Sequence, residues 1–288
     1  MHYHRPATFE DAVALATGSE GVTRFLAGGT DVLVQMRADI VTPDTLIDIK
    51  AIPGTHEIAR QEDGGWRIGV AVTGAEMREH AELGRDWPGL VEAMDLIGST
   101  QVQGRATLTG NLCNASPAAD SVPAMIAAGV TATITGPGGT RTVPVEEIPA
   151  GPGKTTLARG EIITALHVPP RGTEGGDAYL RFIPRTEMDI AVVGCGVNLT
   201  VEGDTITHAR MALGAVAPTA VLVHAAEDAL VGRTLDEDAL TALADLAEAS
   251  CNPIDDKRGT IKFRTHVAGV LARRTAKIAF DRAKGAAK

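Results

Sequence analysis

The spacing of apolar and polar positions changes period several times along the chain, and each change marks an element. Thr8, Glu10 and Asp11 stand before Ala12, Val13, Leu15 and Ala16 as a cap and acidic first turn stand before an apolar face, which predicts a helix over 9–17. Residues 24–27 read as a short strand that runs into Gly28-Gly29-Thr30-Asp31, and 32–37 as a helix opening from that turn. Apolar runs rich in β-branched residues predict strands over 46–49, 66–72, 131–135, 140–145 and 162–168; helical spacing predicts helices near 75–82, 88–97 and 121–128. This part of the chain is mixed α+β.

Pro169-Pro170-Arg171-Gly172-Thr173-Glu174-Gly175-Gly176 combines two prolines and three glycines, which makes it the best linker and puts a domain boundary near residue 173. Beyond it, 178–183, 190–201 and 205–216 alternate like an antiparallel meander, with Glu202-Gly203-Asp204 as one turn. Two helices follow, over 236–250 with Leu240, Leu243 and Leu246 near helical spacing, and over 265–283 before a basic, alanine-rich tail. There is no internal repeat and no low-complexity segment.

Composition narrows the classes. The 288 residues include 44% hydrophobic and 22% charged positions, values of a soluble globular protein with room for two domains. A net charge of -9 and only 3% aromatic residues argue against a nucleic-acid partner, which needs basic charge and stacking side chains. Cys113, Cys195 and Cys251 are odd in number and far apart, so they make neither a disulfide framework nor a four-thiolate iron–sulfur site. No apolar run is long enough for a membrane span, and Met1-His2-Tyr3-His4-Arg5-Pro6 lacks the apolar core of a secretory signal, so a cytoplasmic location is expected.

Several motifs fail on inspection. Gly194-Cys195-Gly196-Val197-Asn198-Leu199 starts like a dinucleotide fingerprint, but Leu199 takes the place of the third glycine and no helix follows. Gly151-Pro152-Gly153-Lys154-Thr155 imitates the end of a P-loop, yet Ile148 stands where its first glycine must be, and a proline-rich turn is the better reading. His2 and His4 lack a third metal ligand, and no G-x-S-x-G elbow occurs.

Two segments carry more information. In Ala27-Gly28-Gly29-Thr30-Asp31-Val32, paired glycines allow close approach to a ligand, and the amides that follow could cradle a pyrophosphate; from this segment alone a plain strand–turn–helix connection is the more ordinary reading. Asp31 would repel such an anion and is better suited to shaping the turn. The second segment, residues 99–120, packs small hydrogen-bonding side chains around Gly110, as in a long loop that wraps a polar ligand rather than a regular element.

Together these segments resemble the two flavin-binding signatures of the FAD-binding medium subunit of molybdenum hydroxylases, the xanthine dehydrogenase and carbon monoxide dehydrogenase family. The likeness extends over essentially the whole chain. It includes Tyr3-His4-Arg5-Pro6, Arg185-Thr186-Glu187-Met188-Asp189-Ile190-Ala191, Leu213-Gly214-Ala215-Val216-Ala217-Pro218-Thr219, and Lys262-Phe263-Arg264 before a helix with Arg273-Arg274. The resemblance implies a two-subdomain PCMH-type FAD-binding domain of α+β class over 1–172, with its internal boundary near 55, and a small C-terminal α+β domain over 173–288. It implies that Ala27, Gly28, Gly29, Thr30, Asp31 and Val32 surround the FAD pyrophosphate, and that Thr107, Thr109, Gly110 and Asn111 form a second phosphate and ribityl turn. Asp120 would bond the ribityl or flavin end, and Ile97, Ile163 and Arg181 align with positions that line the adenine or isoalloxazine. Thr109 departs from the pattern, replacing the first of two glycines usual in that turn.

No catalytic side chain and no metal site are expected in this chain. The resemblance implies a small [2Fe-2S] subunit and a large molybdopterin subunit as partners, in a dimer of heterotrimers, with electrons passing from the [2Fe-2S] centre to FAD and then to an external acceptor. The alternative is a stand-alone FAD-dependent oxidase or reductase on the same fold, for which 288 residues leave little room.

Overall fold

The computed structural model describes residues 1–185 and 188–285. Parallel strands require crossover connections, and the N-terminal segment supplies two. Here β1 (His2–His4), α1 (Phe9–Gly18), β2 (Thr23–Leu26), α2 (Val32–Arg37) and β3 (Thr45–Asp48) make a three-stranded parallel sheet in the order β1–β3–β2. The Thr8 hydroxyl caps α1 by accepting from the Asp11 amide at 3.1 Å, and Ala12, Val13 and Ala16 form its buried face. α2 is different: none of its six residues is buried.

A second group comprises β4 (Ile58–Arg60), β5 (Trp66–Gly69), α3 (Gly74–Glu79), α4 (Ala81–Asp86), α5 (Pro88–Asp95), α6 (Thr100–Gln103), α7 (Leu108–Asn114) and α8 (Ser121–Ala128). It continues with β6 (Thr131–Gly136), β7 (Gly139–Pro144), β8 (Pro149–Gly151), β9 (Lys154–Thr155) and β10 (Ile162–Val168). Five of these strands form an antiparallel sheet, β4–β5–β10–β6–β7, while β8 and β9 pair as a small hairpin. The remaining elements are β11 (Gly175–Phe182), β12 (Val193–Glu202), β13 (Thr205–Gly214), β14 (Val221–Leu222), α9 (Ala225–Leu230), α10 (Glu237–Ala249) and α11 (Ile261–Ala283). Its four strands form an antiparallel meander in chain order, with Gly203 at φ +61 in the β12–β13 turn.

Two apolar cores result, one around Trp66, Trp87, Met94 and Met125, the other around Val197, Leu199, Leu243 and Leu271. Every residue of α8 is buried, because β12 and β13 pack against it. A Cβ on Gly196 would lie 2.7 Å from the Pro123 carbonyl oxygen, and one on Gly214 3.1 Å from Pro123 Cγ, so these glycines let the meander approach the helix backbone. The glycines that imitate a nucleotide fingerprint are therefore packing residues within β12.

Several expectations change. The helix expected over 75–82 is two helices, because His80 adopts an extended conformation that ends α3 and caps α4, its Nδ1 accepting from the Leu83 amide at 3.2 Å. Residues 99–120 are not one loop but contain α6 and α7, and 151–155 belong to the β8–β9 hairpin. The strand expected from 190 starts at Val193. β1, β4, β14 and α9 are too short to show a period in sequence; β1 and β4 hold only three residues each.

Candidate functional site

The two glycine-bearing segments meet across one cleft of about 660 Å³. One wall is the β2–α2 turn, the second is the start of α7, and the third is the stretch from β9 into β10. An open hollow of about 730 Å³ beside α1, lined by His4, Arg5, Asp11 and neighbours, has no glycine turn facing it. The cleft is the candidate site.

Close backbone contact builds the first wall. A Cβ on Gly28 would lie 2.9 Å from the Arg105 carbonyl carbon and 3.2 Å from Ala106 Cα, closer than side chains pack. Arg105 reinforces this contact, its Nε donating to the Gly28 carbonyl at 3.1 Å. Gly29 has φ +79, a left-handed conformation that disfavours a side chain. Among the described residues, the amides of Gly28, Gly29, Thr30, Asp31 and Val32 donate to no other group of the chain, whereas Leu33 N already returns to the Gly29 carbonyl. Five backbone donors thus line or border the cleft unspent.

The second wall is organised by Thr107, whose hydroxyl caps α7 by accepting from the Gly110 amide at 2.9 Å. Thr109 is the second residue of α7 and has ordinary helical backbone, so the position here does not require glycine. The Asn111 side-chain oxygen accepts from Ser121 Oγ at 2.7 Å, and that of Asn114 accepts from Gln35 Nε2 at 2.9 Å, tying α7 to α8 and to α2. Thr109 itself is only 7% exposed, and its hydroxyl has no partner among the described residues.

The ionisable groups separate into two kinds. Asp31 is exposed as a residue but lines the cleft, and loss of solvent on that side raises its carboxyl above the ordinary value. Cys113, also in the wall, has its thiol pushed up to about 12 by burial, which removes thiolate chemistry at neutral pH. Asp120 lies outside the cleft lining. Its carboxylate is buried at the start of α8, accepting from Tyr179 OH at 2.8 Å and from Arg181 Nη1 at 2.6 Å. Burial pushes that carboxyl up to about 6, with Arg181 and Tyr179 pulling the other way, and burial followed by the Asp120 charge raises Tyr179 well above its ordinary value.

Ala27, Gly28, Gly29, Thr30, Asp31, Val32, Ile97, Thr107, Thr109, Gly110, Asn111 and Ile163 all line the cleft. Asp120, at the start of α8, and Arg181, on β11, instead form a buried ion pair outside the cleft lining. Of the third wall the sequence reading found only Ile163; it missed the stretch from Gly153 through Arg159 and Glu161 to Ile162, as well as Gln35 and Asn114. The glycines at 153 and 160 were the available signal; both line the cleft, and the structure gives both positive φ. Of the segments that carry the family resemblance, Thr186 and Glu187 lie outside the described residues. Tyr3 donates to Asp48 at 2.6 Å, and Arg264 is buried among Val192, Ala215 and Asp256. Among the described residues no cluster of His, Cys, Asp and Glu is arranged to hold a metal ion, and no helix is long and apolar enough to cross a membrane.

The domain described as FAD binding domain in molybdopterin dehydrogenase matches residues 1–171, and the CO dehydrogenase flavoprotein C-terminal domain matches residues 178–279. The carbon monoxide dehydrogenase medium chain of Afipia carboxidovorans is 35% identical, with 99% of this chain and 97% of that one covered. The xanthine dehydrogenase FAD-binding subunit of Escherichia coli O157:H7 is 32% identical, with 94% and 93% covered. The solved structure of a Cu,Mo-CO dehydrogenase in its cyanide-inactivated form contains a chain similar with a TM-score of 0.94 and 33% identity, over 98% of both chains.

Proposed function

Because the chain belongs to the FAD-binding medium subunits of the molybdopterin dehydrogenases of xanthine and carbon monoxide dehydrogenase type, we propose that it is the electron outlet of such a complex. It would hold FAD, receive electrons from a small [2Fe-2S] subunit, and deliver them to an external acceptor, while a large molybdopterin subunit oxidises the organic substrate. The assembly proposed is a dimer of heterotrimers. Residues 1–172 would be the FAD-binding part, in two subdomains meeting near residue 55, and 173–288 the C-terminal part.

The observation that carries this reading is the cleft between two glycine-bearing segments, with unspent amides on one side and a partnerless buried hydroxyl on the other. Those features fit a dinucleotide. Gly28, with no Cβ, lets the two segments close on each other, and the amides of Gly28–Val32 would donate to the diphosphate. Thr107 and Asn111 hold the opposing wall in shape, and Ile97 and Ile163 offer apolar surface to the rings. Bound FAD would supply transfer of one or two electrons. Asp31 borders the same wall, and its partial burial raises its carboxyl above the ordinary value. Asp120 and Arg181 would act indirectly, by fixing the start of α8 behind Asn111.

The test has two stages. The full chain, purified with the subunits that accompany it, should carry a yellow flavin spectrum, and chemically reducing the iron–sulfur subunit should bleach it. Absence of flavin after FAD is added refutes the cofactor assignment. Bound flavin that never exchanges electrons with an iron–sulfur partner refutes the electron-outlet role.

A further inference from the structure

We propose that the Thr109 side-chain hydroxyl is a hydrogen-bond donor to the diphosphate of the bound cofactor, a contact that a glycine at this position could not make. The inference rests on the FAD reading above and goes beyond it, because it assigns a specific side-chain donor.

The argument begins with a cost. A buried hydroxyl without a partner loses its hydration and gains nothing in return, yet Thr109 Oγ1 is such an atom, in a residue 7% exposed. Threonine in a helix ordinarily relieves this by bonding to a carbonyl three or four residues earlier. Thr17, Thr241 and Thr275 all do so, at 2.7, 2.8 and 2.8 Å. Thr109 is too close to the start of α7 for that route, and its neighbour Thr107 spends its own hydroxyl as the helix cap. What Thr109 has instead is a place in the cleft wall. Rotation about χ1 exchanges hydroxyl and methyl within nearly the same volume, so the donor can turn to a ligand without moving the backbone.

The surroundings favour an anionic acceptor. The segment preceding Thr109 is the one on which Gly28 rests, through Arg105 and Ala106, and the Gly28–Val32 amides that border the same space are unspent donors. An acceptor-rich group such as a diphosphate satisfies both sets of donors. The missing partner of the hydroxyl is then the cofactor itself.

Thr109→Val keeps the shape and removes the hydroxyl, so it gives effects of opposite sign. The flavin-free full chain should melt no lower than wild type, since an unsatisfied buried hydroxyl has been removed. FAD affinity, read by quenching of flavin fluorescence, should fall about ten- to a hundredfold, the loss of one hydrogen bond to a charged group. Thr109→Ser should stay close to wild type in affinity, and Thr109→Ala, smaller and also lacking the hydroxyl, should lose affinity like the valine variant. Titration with ADP, which carries the diphosphate without the flavin half, should show the same ratio between wild type and Thr109→Val. Unchanged FAD affinity in the valine and alanine variants overturns the proposal, and a loss seen with FAD but not with ADP overturns the diphosphate assignment. Failure of the wild-type protein to bind FAD would refute the cofactor reading itself, a distinct result.

Discussion

Gly28→Ala is the sharpest perturbation of the cleft. A Cβ there would sit 2.9 Å from the Arg105 carbonyl carbon and 3.2 Å from Ala106 Cα. Carbon atoms pack at about 3.5–4.0 Å, so the two segments must separate by roughly half an ångström or more. Both obstructing atoms are backbone, and no rotamer change can relieve them. The same displacement stretches the 3.1 Å bond from Arg105 Nε to the Gly28 carbonyl. Overpacking of this kind costs about 1–3 kcal/mol, which for a chain of this size is a fall in melting temperature of roughly 2–5 °C. FAD affinity should fall further than stability alone requires, because the amides of Gly28–Val32 are carried away from the opposing wall. Thermal melting of the flavin-free chain and a fluorescence titration with FAD measure the two effects separately. Gly138→Ala, where a Cβ meets nothing within 4 Å, is the control for generic glycine replacement. If Gly28→Ala melts and binds FAD like that control, the account of the cleft as two backbones in contact is wrong.

Three further outcomes follow from the same geometry. The folded Asp120 carboxyl titrates at about 6 against an ordinary 3.8, so its protonated form contributes stability that is fully present below 3.8 and lost as pH rises through 6. The stability gap between wild type and Asp120→Asn should therefore shift toward the variant by about 1.4 kcal/mol per pH unit inside that window; a gap that does not move, measured by denaturant melts from pH 4 to 7, contradicts it. Arg264, 4% exposed, donates to the Val192 carbonyl at 2.7 Å and to Asp256 at 2.6 Å, so Arg264→Met should cost about 3–5 kcal/mol by leaving these acceptors unpaired. FAD affinity of whatever folds should be unchanged, because Arg264 is not among the residues that line the cleft. Cys113, half-buried in the cleft wall with its thiol held at about 12 by burial, should react with a thiol-specific reagent at pH 8 more slowly in the native protein than after unfolding; equal rates in the two states contradict it.

Much of the architecture was legible in the sequence because it rests on local rules. The Thr8 cap, the apolar face of α1, the Gly203 turn and the leucines of α10 each act within a few residues of themselves. The glycine pair at 28 and 29 was legible for the same reason, as a strand–turn–helix junction whose backbone needs no side chain. Short elements and distant contacts were not. β1 becomes a strand only because β3 lies beside it, and the α6 and α7 helices appear where a small-residue composition reads as loop.

Chain pattern by itself therefore determined most of the longer elements and their order, and singled out two glycine-bearing segments. Tertiary structure decided which residues share the cleft. It brought the stretch between β9 and β10 in as a third wall, moved Asp120 and Arg181 out of the lining into a buried pair, and gave Thr109 an ordinary helical backbone with a hydroxyl lacking a partner. The physical reason is one of range: backbone propensity and capping act over three or four residues, whereas burial and the satisfaction of polar groups depend on segments far apart in the chain. Gly28 belongs to both scales, its place in a turn readable locally and its contact with Arg105 readable only in three dimensions.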